Sequence, residues 1–226
     1  HTHTSRFGFR FGLGRKKRGF IPLEIGRRRK RPRFLTGFTL IELLVVLGVI
    51  AVISLVIVAV INPAELMKQA RDGRRLAELA NLKMAIGIYE AEVGGSTGSQ
   101  NTLYISVPDS TATTTAGTDC ASLGMPSLPS GWSWHCAASS TVRNVNGLGW
   151  VPVNFRSISA GSPLGTLPID PTNTTSSGNY YSYVTGGSFK LTARFESKKH
   201  TGKVGIDGGP DPALYETGSN LELAPF

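Results

Sequence analysis

The feature that most constrains this chain is one long apolar run in its first third. From Phe38 to Ile61 there are 24 residues with a single charge, Glu42. About 20 such residues, rising ~1.5 Å each along a helix, span the hydrocarbon core of a bilayer. An ordinary secretory signal has a shorter apolar core followed by a small-residue cleavage site, and neither matches this run. The run therefore predicts a transmembrane helix over residues 38–62.

Basic charge is concentrated ahead of this run. Residues 1–37 hold twelve of the 24 Lys and Arg residues against one acid, whereas the rest of the chain carries a net charge of −2. Nucleic-acid binding needs basic charge on a folded surface, so the overall charge of +9 does not indicate a nucleic-acid partner. Lys and Arg beside a transmembrane helix favour the cytoplasmic side. We therefore expect residues 1–37 to be a cytoplasmic leader, and the C-terminal bulk to lie beyond a single-pass cytoplasmic-membrane anchor.

The residues after the apolar run follow the period of an amphipathic helix. Large apolar residues recur there at steps of three and four: Leu79, Leu82, Ile86, Tyr89 and Val93. This pattern predicts a helix over residues 63–93 that ends near Gly94-Gly95. Joined to the apolar run it would make one helix of roughly 80 Å. Pro63 is expected to kink that helix, because proline lacks an N–H and clashes with the preceding turn.

Charged residues in the first part of this segment are predicted to be solvated. Arg71, Arg74 and Arg75 lie close to Asp72 and Glu78. On a helix that emerges from a membrane, such residues typically form a solvent-facing surface stabilised by pairs three and four apart. We therefore assign them no binding site.

The C-terminal region, residues 94–226, changes to a strand pattern. Asn179–Val184 and Phe189–Phe195 are rich in aromatic and β-branched residues, and Thr185-Gly186-Gly187-Ser188 between them is a hairpin signal. These features predict an extracytoplasmic, β-rich globular domain with a small antiparallel sheet. The fold class is therefore α+β, with the long N-terminal helix packed on that sheet.

Two other segments are interpreted from their composition. Residues 96–118 are rich in Ser, Thr and Gly with few large apolar groups, which indicates an exposed loop. Trp150–Phe155 is strand-like, but Pro152 has no N–H to donate to a neighbouring strand, so an edge position is predicted.

The two cysteines indicate one cross-link at most. Cys120 and Cys136 have fifteen residues between them, and a domain outside the cytoplasm favours a loop-closing disulfide. The alternative is two free, buried thiols. His135 beside them would leave a tetrahedral metal site one ligand short, so no metal centre is predicted here.

The start of the apolar run carries a recognisable motif. It consists of the residues Gly37-Phe38-Thr39-Leu40-Ile41-Glu42-Leu43-Leu44-Val45-Val46-Leu47. A basic leader, a Gly immediately before Phe, a Glu fifth from that Phe and an uninterrupted apolar helix occur together. In this combination the chain resembles the type IV pilin and secretion pseudopilin family.

The resemblance implies processing and assembly. In that family a membrane aspartyl peptidase cleaves after the Gly and methylates the new amine, so cleavage between Gly37 and Phe38 and N-methylation of Phe38 are expected. Glu42 is then expected to pair with the Phe38 amine of a neighbouring subunit. Alternatively, Glu42 lies high enough in the bilayer to reach water. The implied partners are a prepilin peptidase, identical or related pilin subunits, an inner-membrane assembly platform and the membrane itself.

Parts of the C-terminal region resemble the major secretion pseudopilins. These are Leu167-Pro168-Ile169-Asp170-Pro171 and the tyrosine-rich Asn179-Tyr180-Tyr181-Ser182-Tyr183. The alternative is a simple turn that leads into a strand. Those pseudopilins hold calcium in nearby loops, and Asp207 and Asp211 could supply oxygens to such an ion. Two carboxylates in a Gly-rich turn are also consistent with a turn alone, so no cofactor is assigned.

The sequence thus predicts a structural subunit of a type IV pilus-like fibre. The first alternative is a pseudopilin of a type II secretion system, and the second is a signal-anchored domain that does not polymerise. No enzyme is predicted, because no nucleophile with a base, acid pair or phosphate-binding loop stands out in the chain and two of its four His lie in the leader.

Overall fold

The computed structural model describes residues 37–60, 62–113, 120–223 and 225. The predicted basic leader therefore lies outside the described residues, except for Gly37. By its contacts the chain divides after Ala51, and the unit that runs from Val52 to the C-terminus holds the globular domain.

The apolar run forms helix α1, Leu40–Val60. The main-chain N–H of Glu42 donates to the hydroxyl of Thr39 at 3.3 Å, which satisfies one of the unpaired donors of the first turn. Within the described residues, Leu40–Val58 is the one helix long and apolar enough to cross a membrane, and none of it is buried. The predicted apolar helix is confirmed, and its length and composition are consistent with a membrane anchor.

Helix α2, Pro63–Glu92, begins separately from α1. Asn62 is extended, with φ −77° and ψ 96°, and its side chain accepts from the N–H of Glu65 at 3.2 Å. Asn is a strong N-cap, and proline at the first helical position loses no hydrogen bond. The structure therefore differs from the single helix predicted with a kink at Pro63. This proline begins a second helix instead.

The described residues form one sheet of five strands in the order β2-β1-β3-β4-β5. The strands are β1 Thr102–Ile105, β2 Ser133–Cys136, β3 Ser182–Thr185, β4 Phe189–Ala193 and β5 Tyr215–Gly218. A short helix α3, Lys198–Val204, lies between β4 and β5, and single 3₁₀ turns occupy Ala121–Leu123 and Phe155–Ser157. The α+β class and the β3–β4 hairpin are thus confirmed.

Three expectations for the sheet are wrong. The predicted loop 96–118 contains β1, which pairs with both β2 and β3 and is buried along its whole length. The sheet is mixed rather than antiparallel, because β1 and β2 run parallel. Trp150–Phe155 forms no strand; Asn154 makes a single bridge to Asn146, while Trp150 and Phe155 fill the core.

Each face of the sheet has its own apolar cluster. On one face Leu82 and Ile86 of α2 pack with Tyr181, Tyr183 and Leu191. On the other, Leu103, Ile105 and Val184 pack with residues of the segment between Cys120 and Cys136. Strand side chains alternate between faces, so β1 contributes to both clusters. Burying one such side chain fully is worth about 1.5–3 kcal/mol, so α2 and the cysteine-bounded segment both stabilise the sheet.

Candidate functional site

The residues of the predicted processing and assembly site lie at the exposed start of α1. Phe38 is 81% exposed, and Gly37 and Glu42 are exposed as well. Residues 37–60 contain no Lys, Arg or His, so the Glu42 carboxylate has no cationic partner on its own helix. A carboxylate in this position costs free energy in lipid unless another group neutralises it.

The structure also contains a buried ionic cluster that sequence reasoning missed. Its centre is Arg75 of α2, whose side chain is fully buried. Arg75 donates two parallel hydrogen bonds to Asp170, from Nε to Oδ2 at 2.6 Å and from Nη2 to Oδ1 at 2.9 Å. Its Nη1 donates to Asp72 and to Glu196, each at 2.8 Å. The expected solvent-facing surface is therefore wrong for Arg75 and Asp72, both of which are 0% exposed.

Main-chain donors complete the cluster around its carboxylates. The Asp72 carboxylate accepts from the N–H groups of Glu196 and Ser197, the latter at 2.7 Å. The Asp170 carboxylate accepts from the N–H groups of Thr172 and Asn173. Buried carboxylates with this many donors are fully satisfied, so the cluster fixes the loop after Leu167 and the chain after β4 onto one turn of α2.

Two arginines at the edge of the cluster are more exposed. Arg71 binds Glu196 through Nε and Nη2 at 2.7 and 3.0 Å. The hydrogen bond from Arg71, helped by one from Arg75, lowers the pKa of Glu196 to about 2 despite partial burial. Arg74 pairs with Glu78 at 2.8 Å, and the other Glu78 oxygen accepts from the hydroxyl of Tyr181. Burial and this bond raise the pKa of Tyr181.

The segment that resembles the pseudopilins, Leu167–Pro171, supplies the Asp170 of this cluster. Nearby, Asn173 and Ser106 exchange hydrogen bonds, and the N–H of Tyr181 donates to the Ser106 hydroxyl at 2.9 Å. A continuous set of polar contacts therefore connects Arg75 to the end of β1 and the start of the β3 region. The arrangement positions structural elements, and at its edge the Ser197 hydroxyl lies 3.1 Å from Nδ1 of His200.

Cys120 and Cys136 are joined by a disulfide in the structure, with their Cα atoms 5.4 Å apart. Asp109 contacts the start of the same loop, at Ser122. Its carboxylate accepts four hydrogen bonds from the main-chain and hydroxyl groups of Thr111 and Ser122. Burial opposes ionisation, but these hydrogen bonds prevail and lower the pKa of Asp109 to about 2.

Replacing both cysteines with serine is expected to destabilise the domain by about 3 kcal/mol, the entropic value for a loop of this size. The loop covers the apolar cluster on β1, so its release exposes that face. Urea unfolding of the variant and the parent protein in the same detergent measures the change. Mass mapping without reductant that finds both thiols free in the purified protein would contradict the pairing.

The predicted calcium ligands are engaged by the main chain. Asp207 accepts from the N–H groups of Gly209 and Glu216, at 3.0 and 2.8 Å, and Asp211 accepts from that of Ala213. Glu216 beside them pairs with Lys190 at 2.9 Å, and both of these side chains are fully buried. Across the described residues no group of three His, Cys, Asp or Glu side chains is placed to hold a metal. Asp207 therefore accepts a main-chain hydrogen bond from the edge strand β5.

We compared the chain with known protein families, curated proteins and solved structures. No family model, curated protein or solved structure matched this chain. The function is therefore inferred from the residues of this chain alone.

The sequence did hold a signal for the buried cluster. Arg75 is followed by Leu79 and Leu82, so on a helical wheel it falls beside the apolar stripe rather than opposite it. An arginine on the edge of a buried stripe needs a carboxylate partner, and Asp170 between two prolines is a fixed candidate. The pairing itself spans 95 residues and could not be read from spacing.

Proposed function

We propose that this protein is a structural subunit of a type IV pilus-like fibre, cleaved between Gly37 and Phe38 and polymerised through α1. The observation that carries the proposal is the Gly-Phe-Thr-Leu-Ile-Glu motif directly at the start of an apolar helix that none of the described residues covers. A helix this apolar is stable only in lipid or against other apolar helices. Insertion before cleavage and packing against other subunits afterwards meet both requirements.

The charge at Glu42 supports assembly rather than simple anchoring. A plain membrane anchor gains nothing from a carboxylate near its end, because the charge opposes insertion. Cleavage before Phe38 creates an amine four residues away in sequence, and an incoming subunit can present that cation to a carboxylate already in place. In a low-dielectric fibre core, such a pair interacts far more strongly than in water.

A pseudopilin of a type II secretion system is the second candidate. It is favoured by the Leu167–Pro171 segment, which resembles major pseudopilins and whose Asp170 is locked onto α2 by Arg75. Both candidates share the processing step and the helix-mediated polymer. They differ in whether the polymer extends as a surface fibre or acts within a secretion apparatus.

The test of processing is the N-terminus of the protein purified from cells that contain a prepilin peptidase. We expect a mature chain that starts at methylated Phe38, and a Gly37→Leu variant that stays uncleaved because a side chain now occupies the cleavage position. Gly48→Leu is the matched control. An added Cβ meets nothing within 4 Å at either glycine, so loss of folding does not explain a difference. An intact leader, or a start at another residue, would overturn the proposal.

A further inference from the structure

The lysines near the start of α2 differ from its arginines in one respect. Arg71, Arg74 and Arg75 each form an ion pair with a carboxylate. Among the described residues, no carboxylate lies within ion-pair distance of Lys68, Lys198 or Lys199. Lys198 and Lys199 are exposed and Lys68 is partly so. These three lysines are therefore a net positive surface, which we call the lysine patch.

The lysine patch lies close to the end of the apolar helix. The N–H of Lys198 donates to Glu65 Oε1 at 2.7 Å, which places the start of α3 against the first turn of α2. Glu65 lies only five positions after Val60, the last residue of α1, so the chain between them spans at most about 18 Å. Lys68 is one helical turn beyond Glu65. Long lysine side chains extend this reach further.

We propose that the lysine patch binds anionic phospholipid headgroups at the surface of the bilayer that α1 crosses. The inference rests on the transmembrane placement of α1 in the proposed function. Headgroup phosphates match the unpaired ammonium groups in charge, and their attraction falls off within a Debye length of about 8–10 Å. Within the globular domain, this condition selects basic groups beside the membrane end of α2. The contact holds the globular domain against the membrane until the subunit leaves the bilayer.

Lys83 is an internal control for this surface. It is exposed and, like the lysine patch, has no carboxylate within ion-pair distance among the described residues. It lies 18 residues beyond Glu65 on the same helix, which at 1.5 Å per residue is about 27 Å farther along the helix axis. A headgroup interaction should therefore leave it untouched.

The experiment is lysine acetylation of the full chain in nanodiscs, mapped by mass spectrometry. One disc contains phosphatidylcholine alone, and the other also contains phosphatidylglycerol. In the anionic discs at low salt we expect Lys198 and Lys199 to react about fivefold more slowly, with the effect lost near 1 M salt where the Debye length is about 3 Å. Lys83 should react equally in both. A site-resolved readout is needed because the basic leader is also expected to attract anionic lipid.

A charge-reversal pair sharpens the test. In the double variant Lys198→Glu, Lys199→Glu the slower reaction of Lys68 in anionic discs should disappear, whereas Lys83→Glu should leave it intact.

Equal acetylation of the patch in both discs would overturn the proposal, as would slower reaction that includes Lys83. Protection in neutral discs that grows with protein concentration would assign the patch to a second copy instead. If the chain is not recovered in discs at all, the transmembrane placement fails first; recovery without protection refutes the lipid contact alone.

Discussion

Arg75→Met is expected to destabilise the globular domain by about 3–5 kcal/mol, as removal of one member of a buried ion cluster does. Methionine fills similar space but leaves the carboxylates of Asp72 and Asp170 without their cation. Neither carboxylate reaches solvent, so water cannot compensate for the lost cation. Main-chain N–H groups still donate to them, yet these donors carry no full charge. The expected loss is a large part of the 5–15 kcal/mol that stabilises a typical domain.

Arg74→Met is the matched control for this prediction. The same substitution one residue earlier removes an ion pair whose arginine side chain is 55% exposed. Exposed pairs contribute about 0.2–1 kcal/mol, so the control should unfold near the parent midpoint. Urea unfolding in detergent, followed by tryptophan fluorescence to which the buried Trp150 contributes, measures both variants. Similar midpoints for Arg75→Met and the parent protein would mean that the cluster positions loops without stabilising them.

Arg75→Lys separates charge from geometry. Lysine keeps the cation but cannot make the two parallel bonds to Asp170 and the further bonds to Asp72 and Glu196 at once. We expect a stability between that of the parent protein and that of Arg75→Met. If lysine equals the parent, charge alone is sufficient and the directed guanidinium contacts add little.

Glu42→Gln is expected to leave membrane insertion and processing nearly intact and to abolish or sharply reduce fibre assembly. Glutamine keeps the shape and removes the charge, so insertion becomes easier by as much as about 2.5–3.5 kcal/mol. The peptidase is expected to recognise Gly37 and its flanks, so cleavage should persist. The Phe38 amine of an incoming subunit would then be buried without a counter-charge, at a cost of roughly 3–5 kcal/mol.

The measurement is the amount of sheared or secreted fibre from cells that make only the variant subunit. Glu42→Ala should behave as Glu42→Gln does, while Glu42→Asp, which retains the charge on a shorter side chain, should recover part of the assembly. Membrane fractionation and the N-terminal start at Phe38 control for insertion and cleavage. Normal fibres from Glu42→Gln alone would refute the pairing with Phe38 and leave Glu42 as a tolerated interfacial residue.

The features that sequence reasoning predicted depend on local patterns. The apolar helix follows from an uninterrupted run, and the end of α2 follows from Gly94, which adopts φ +61° just beyond the helix. The β3–β4 hairpin follows from two aromatic segments around Gly186 and Gly187. Such signals lie within a few residues of the structure that they specify, so a single sequence is sufficient to detect them.

The features that it missed depend on partners far along the chain. Strand β1 has four residues in a polar stretch, and its burial arises because β2 and β3 flank it on both sides. The Asn62-Pro63 pair fits a kink or a cap equally well from its residue types, and the extended backbone of Asn62 decides for the cap. Arg75 resembled a surface residue because its position beside the apolar stripe was outweighed by the charges around it. No cofactor is predicted at Asp207 and Asp211, and calcium there stays an untested alternative to a simple turn.

The strand order determines when each part of the sheet can form while the chain is being synthesised. Leu103 in β1 pairs with Val184 in β3, so the centre of the sheet cannot close until synthesis has passed Thr185. Closure of so long a loop is entropically costly, and sheets dominated by such distant pairs fold slowly. The parallel partner β2 is complete much earlier, at Cys136, and leaves one edge of β1 unpaired in the meantime. A nascent chain therefore presents an open strand edge for the time it takes to make the intervening residues, and this is the interval in which it is most prone to pair with another copy.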